Sequence, residues 1–160
     1  MDESYIELTP PPNSKNDGIY VQANEQPPAQ VKDKHPTRIN VISAVGMGFR
    51  CKIHIFDGTM TATLYVKYLK KLIHEASKDH FGGKDWTLVQ DSGSFHTAKV
   101  VSSMLEEEGI SFIKKQDWPA SSPDINPIEN VWAMLKSKVA EKNPKTKLAL
   151  KRSVTKVWQT

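Results

Sequence analysis

With a single cysteine, Cys51, among 160 residues, the chain has no internal disulfide and no thiolate cluster for zinc. Cys51 lies in an apolar strand pattern, which marks it as a core residue, and a reduced, intracellular setting fits best. No apolar run approaches the roughly 20 residues that cross a bilayer, and no secretory leader opens the chain, so no membrane partner is expected. Glycine is sparse, 8 residues in all, and none forms a phosphate-cradling loop. No Ser/His/Asp set is present, His35, His54, His74 and His80 lack ligand spacing, and no segment repeats. What remains is a chain of ordinary composition, 38% hydrophobic and 25% charged, long enough for one domain with a real core.

Charge and proline are unevenly spread. The net charge is +4, yet residues 131–160 alone carry +7, from eight basic residues against Glu141. The first 130 residues therefore sum to −3. A basic end beside an acidic body suits a phosphate backbone running past a carboxylate site, with Lys136, Lys145, Lys147, Lys151 and Arg152 as candidate contacts. A solvated helical face would carry the same lysines. Six of the ten prolines fall in residues 10–36, so 10–37 is expected to be a proline-rich loop, with at most a brief strand from Gly18 to Gln22.

Hydrophobic periodicity gives the order of elements. Residues 2–8 alternate as a strand, with Asp2, Ile6 and Leu8 on one face. Arg38–Val45 and Phe49–Ile55 make a hairpin around Gly46-Met47-Gly48. Residues 61–76 have helical spacing, Trp86–Val89 is a short buried strand, and Thr97 is placed to cap a helix whose Val100, Val101, Met104 and Leu105 face inward. Gly109 stops that helix and Ile110–Ile113 forms another strand. Asn126, Pro127 and Glu129 then read as N-cap, first helical position and capping-box carboxylate. Ile128, Val131, Trp132, Leu135 and Val139 follow as one apolar stripe, and a last helix runs from about Lys147 to Trp158. The sum is an α/β fold, a mixed sheet flanked by helices.

The run Trp118-Pro119-Ala120-Ser121-Ser122-Pro123-Asp124-Ile125-Asn126-Pro127-Ile128-Glu129-Asn130-Val131-Trp132 closely resembles the hallmark of Tc/mariner-type DDE transposases. Val89-Gln90-Asp91-Ser92-Gly93-Ser94-Phe95-His96-Thr97-Ala98 looks like that family's second-aspartate segment, and Asp2-Glu3-Ser4 like its first. The resemblance implies a ribonuclease-H-like catalytic domain over residues 1–160, clipped at both ends and with no helix-turn-helix region before Asp2. It implies Asp2, Asp91 and Glu129 as catalytic acids and metal ligands. Three carboxylates gathered in one cleft repel one another unless cations neutralise them, and oxygen-only ligands favour Mg²⁺ or Mn²⁺ in a two-metal site. The implied activity is metal-dependent DNA strand cleavage and strand transfer. The implied partners are transposon ends, target DNA and a second copy of the chain, and the implied location is the nucleus. A non-catalytic, domesticated remnant that binds nucleic acid or protein is the competing expectation.

On residues alone each acid also has a plain structural role. Asp91 can end a strand in a turn, Glu129 can be a capping partner, and Asp2 can be a frayed terminal residue. His96 is placed either to approach a phosphate or to sit beside the Thr97 cap. Asp124 is expected to order its own loop, and Trp118 and Trp132 to pack rather than stack on bases.

Overall fold

A computed structural model describes residues 1–9, 21, 36–81, 85–119 and 125–160. The proline-rich stretch 10–37, apart from Val21, Pro36 and Thr37, lies outside the described residues, as do the suggested strand near Gly18 and the loop residue Asp124.

Strand β1 (Asp2–Glu7) pairs antiparallel with β2 (Arg38–Ser43), setting Asp2 opposite Ser43 and Ile6 opposite Ile39. On its other edge β2 pairs antiparallel with β5 (His54–Phe56), so the sheet order is β1-β2-β5. A small separate hairpin joins β3 (Val45–Gly46) to β4 (Phe49–Arg50), turning through Gly48 at φ +77. The single strand expected from Phe49 to Ile55 is therefore broken at 51–53. Side chains from distant elements take over the backbone groups the ladder gives up. The Cys51 carbonyl accepts from Trp158 Nε1 at 2.8 Å, and Ser43 Oγ lies 3.1 Å from the same carbonyl. Lys52 N–H donates to Glu75 Oε1 at 2.8 Å.

Helix α1 (Ala62–Ala76) starts where Thr61 accepts from the Leu64 N–H, and it buries Tyr65, Leu69, Leu72 and Ala76. Its chain continues through a wider π turn, Ser77–Phe81. The next two expected strands shrink to one parallel bridge between Leu88 and Phe112, with Leu88 N donating to Ser111 O at 2.8 Å. The pairing stops there because Asp91 Oδ1 captures the Gly93 N–H at 2.9 Å and turns the chain. Helix α2 (Lys99–Glu107) begins at Ala98 with no side-chain cap; Thr97 Oγ1 instead donates to Gly93 O at 3.1 Å, inside that turn. Val101, Met104 and Leu105 are buried as expected, but Val100 is 50% exposed. Gly109 ends the helix at φ +65, a conformation that favours glycine.

Helix α3 (Pro127–Glu141) has Pro127 in its first turn and buries Ile128, Trp132, Leu135 and Val139. Its expected capping box does not form. The Asn126 side chain is buried and its Oδ1 has no partner among the described residues, while Glu129 is exposed. Helix α4 (Lys147–Gln159) is capped by Thr146 and buries Leu150, Val154 and Trp158. No described helix is long and apolar enough to cross a membrane.

The core is in two parts because strand side chains alternate. Ile39 and Val41 on β2 join Ile6 and the buried faces of α3 and α4. Ile42, one residue on, joins Tyr65, Leu69 and Leu72 of α1 and Val101 and Leu105 of α2. The sheet thus has a helix pair on each side.

Candidate active site

Asp2 is the buried centre of the site. It is 5% exposed on β1, and its Oδ2 accepts a hydrogen bond from Trp132 Nε1 of α3 at 3.1 Å. Burial, and then the negative charges of Glu3, Glu129 and Asp91, push its carboxyl up to about 7; the Trp132 bond works the other way. Asp91, from a turn, and Glu129, from the first turn of a helix, are thus close enough to Asp2 on its strand for their charges to be felt there. The three do not form one tight ligand set. Among the described residues, the ligand atoms that converge to within 4.8 Å of one another belong to Asp2, Glu3 and His96.

His96 joins two of the acids. Its Nδ1 hydrogen-bonds Asp91 Oδ1, and its Nε2 lies 3.1 Å from Glu3 Oε2. Burial alone would depress the imidazole, but the bonds to Asp91 and Glu3 outweigh it and raise the group to about 9. At neutral pH both ring nitrogens then carry hydrogens and donate. The same bond with His96, helped by the Gly93 N–H and opposed by burial, holds Asp91 below the usual carboxylate range. The ring packs 4.5 Å from Tyr65 and 4.3 Å from Phe95, centroid to centroid. Tyr65 donates to Gln90 Oε1 at 2.8 Å, and Gln90 Nε2 donates to the His96 carbonyl at 3.3 Å. Gly93 admits this approach: a Cβ there would stand 3.1 Å from Asp91 Oδ1.

Of the two placements left open for His96, approach to a phosphate or a seat beside Thr97, the first finds no support in this arrangement. Its side chain has no exposed surface and is occupied by two carboxylates. Glu3 is the residue that sequence reasoning missed. Period-two alternation sends it to the opposite side of β1 from Asp2, and no spacing rule links it to a histidine 93 positions away. Beside Asp91 and His96 opens a cavity of about 260 Å³, whose other walls include Lys114, Lys115 and Trp118.

The basic residues of the C-terminal part are partly engaged. Lys147 and Lys151 lie 3.3 and 3.8 Å from the two oxygens of Asp57, and Lys145 donates to Asn143 Oδ1 at 2.9 Å. The Lys136 ammonium stands 5.2 Å from the Tyr5 ring centroid, and Arg152 is exposed. Such solvent-facing pairs hold their lysines weakly, so the charges stay available to an anionic partner.

A family model described as DDE superfamily endonuclease matches residues 1–151. The Tc3 transposase of Caenorhabditis elegans is 28% identical over 113 residues, 69% of this chain and 33% of its own length. Among solved structures, the Mos1 strand transfer complex aligns with TM-score 0.73 at 17% identity, over 94% of this chain and 43% of that one. The Mos1 mariner paired-end complex with Mn aligns with TM-score 0.68 at 16% identity, over 99% and 52%. At these identities the likeness is one of fold: the antiparallel sheet β1-β2-β5 with helices on both sides is similar to the ribonuclease-H-like arrangement of the Mos1 transposase. The chain spans about a third of the length of the Tc3 transposase and about half of the Mos1 chains.

Proposed function

We propose, from the premise that this chain belongs to the DDE superfamily endonuclease family, that residues 1–160 are the catalytic domain of a Tc/mariner-type transposase, cutting and rejoining DNA strands with a divalent metal ion. The observation that carries this is the placement of Asp2, buried on β1, held by Trp132 and crowded by Glu3, Glu129 and Asp91, which together with burial push its carboxyl up. A carboxylate buried among further acids lacks a positive partner. A divalent cation supplies it.

The donor set fits Mg²⁺ or Mn²⁺, because the oxygens of Asp2, Asp91 and Glu129 are hard ligands and the adjacent imidazole is already bonded to carboxylates. When bound, such ions neutralise the acids and activate the attacking water or 3′-hydroxyl; two of them would also stabilise the leaving oxygen. The chain's own residues do the positioning. Trp132 holds Asp2 by one oxygen, leaving the other for the ion. His96 and the Gly93 N–H hold Asp91 by Oδ1, leaving Oδ2. Glu129, exposed at the start of α3, closes the site from the solvent side. The DNA backbone runs past this cleft towards the lysines of α3 and α4. Transposon ends and target DNA are the substrates, a second copy of the chain is the partner that brings two ends together, and the nucleus is the place of action.

The test is nicking of a labelled duplex in Mn²⁺ by the chain and by Asp91→Asn and Glu129→Gln. Loss of activity by on the order of 100-fold or more in each variant is expected, with both still folded. Equal nicking by all three proteins would sink the proposal. DNA binding without nicking by any of them would point to the non-catalytic alternative.

A further inference from the structure

We propose that Glu3 and His96 form a clasp that sets Asp91 in place relative to Asp2, making both of them positioning residues for the acid site. The inference rests on the assignment of Asp2 and Asp91 as metal ligands. Neither Glu3 nor His96 touches the reacting atoms; each acts through an acid.

A clasp is needed because the backbone does not do this work. Among the described residues β1 has ladder partners only in β2, and the segment leading to Asp91 pairs through Leu88 with Phe112 on its far side. The main-chain link between the two is the Met1 nitrogen donating to Val89 O at 2.8 Å. One hydrogen bond permits rotation about itself, and Asp91 stands two residues beyond it, where the chain enters a turn. The distance between two catalytic carboxyls cannot be left to such a joint, since a misplacement of about 1 Å costs on the order of 100-fold in rate.

The imidazole closes the gap. Its Nδ1 holds the acid of the turn and its Nε2 holds Glu3, the immediate neighbour of Asp2 on β1. The ring is itself fixed: it is fully buried, flanked by Tyr65 and Phe95, and its backbone carbonyl is held by Gln90. Gly93 leaves the room that lets Asp91 and His96 meet. This carboxylate–imidazole–carboxylate bridge spans two segments 93 residues apart in sequence. The convergence of Asp2, Glu3 and His96 follows from this bridge. His96 is bonded within the cluster, so it offers no lone pair to an ion.

The probe is Mn²⁺ alone, with binding followed by calorimetry and the bound ion by pulsed electron paramagnetic resonance. Glu3→Ala removes the acceptor for Nε2, and Mn²⁺ affinity is expected to fall about 10- to 100-fold, the usual loss when the partner of a ligand is removed. Glu3→Gln keeps a carbonyl oxygen in place and is expected to recover most of the affinity, which a residue needed as an anionic ligand would not do. His96→Asn is expected to behave like Glu3→Ala. The bound Mn²⁺ of the unmodified protein should show no coupling to an imidazole nitrogen. If Glu3→Gln binds as poorly as Glu3→Ala, or imidazole coupling is present, these residues are ligands and the clasp is wrong. If Asp91→Asn abolishes binding while Glu3→Ala binds like the unmodified protein, the clasp fails and the acid site stands. If Asp91→Asn has no effect on Mn²⁺, the acid site fails and the clasp with it.

Discussion

Replacing Asp2 by Asn removes one negative charge from the most buried acid of the site while keeping its shape and an oxygen that still accepts from Trp132 Nε1. In the metal-free protein the Asp2 carboxyl holds its proton up to about 7, against an ordinary value of 3.8. The folded state therefore binds this proton more tightly than the unfolded chain, and folding loses stability as pH rises from about 4 to about 7. Taken at face value the loss reaches on the order of 4 kcal/mol above pH 7, and relaxation with water entry reduces it to about 2 kcal/mol. Asn does not ionise and escapes the loss. The expected result is that Asp2→Asn and the unmodified protein melt together near pH 4. The variant should pull ahead between pH 4 and 7, and the gap should stay level above that. For a chain of this size the gap is about 4–8 °C in Tm. Scanning calorimetry in excess chelator, at pH steps from 4 to 9, measures it directly. Excess Mg²⁺ should reverse the order, because the ion stabilises only the protein that binds it well. A gap that does not change with pH, or a variant less stable above pH 7 without metal, would refute the picture of Asp2 as a carboxylate crowded by its neighbours.

Trp132→Phe keeps most of the core contact of α3 but deletes the donor to Asp2; a loss of about 1–2 kcal/mol in urea unfolding is expected, with the carboxyl of Asp2 moving further up. His96, held at about 9 against an ordinary 6.5, contributes stability that is complete below about pH 6.5 and lost as pH rises through 9, so thermal scans of Glu3→Ala should show a flatter alkaline limb than those of the unmodified protein. Binding of this chain to duplex DNA is expected to be weak, equal for transposon-end and scrambled sequences, and steeply weakened by salt; neutralising Lys145, Lys147, Lys151 and Arg152 together should flatten the salt slope. Clear preference for the end sequence in a two-salt titration would show that base recognition is built into these residues.

The parts of the fold legible in sequence are those whose cause is local. The apolar stripe of Ile128, Trp132, Leu135 and Val139 and the proline at the start of α3 announce that helix, and Thr61 with its following apolar spacing announces α1. The break at 51–53 is not legible, because the groups that satisfy it come from Trp158, Glu75 and Ser43, and nothing near Cys51 signals them. Thr97 looks like a cap in sequence, yet it is used by the Gly93 turn; Asn126 does stand at the N-cap of α3, but its side chain makes no capping bond. The identities of Asp2, Asp91 and Glu129 came from a motif, and what the structure adds is that the charges of Asp91 and Glu129 reach Asp2. Glu3 stayed hidden because its partner lies 93 residues away and hydrogen-bond geometry leaves no periodicity behind.

Val41 and Ile42 bury themselves against different helix pairs, and the two pairs leave the ribosome at different times. Ile42 finds α1 within a few dozen residues of chain. Val41, with Ile6 and Ile39, must wait for Trp132, Leu150 and Trp158, and at ordinary rates of synthesis the last of these emerges roughly 6–25 s after Val41. For that interval one side of the sheet is a bare apolar surface bordered by strand edge, the kind of surface that chaperones hold and that aggregates when they do not. Docking of α4 then covers that side of the sheet and ties Trp158 to the Cys51 carbonyl in the same step, so the break between β4 and β5 is bridged only then.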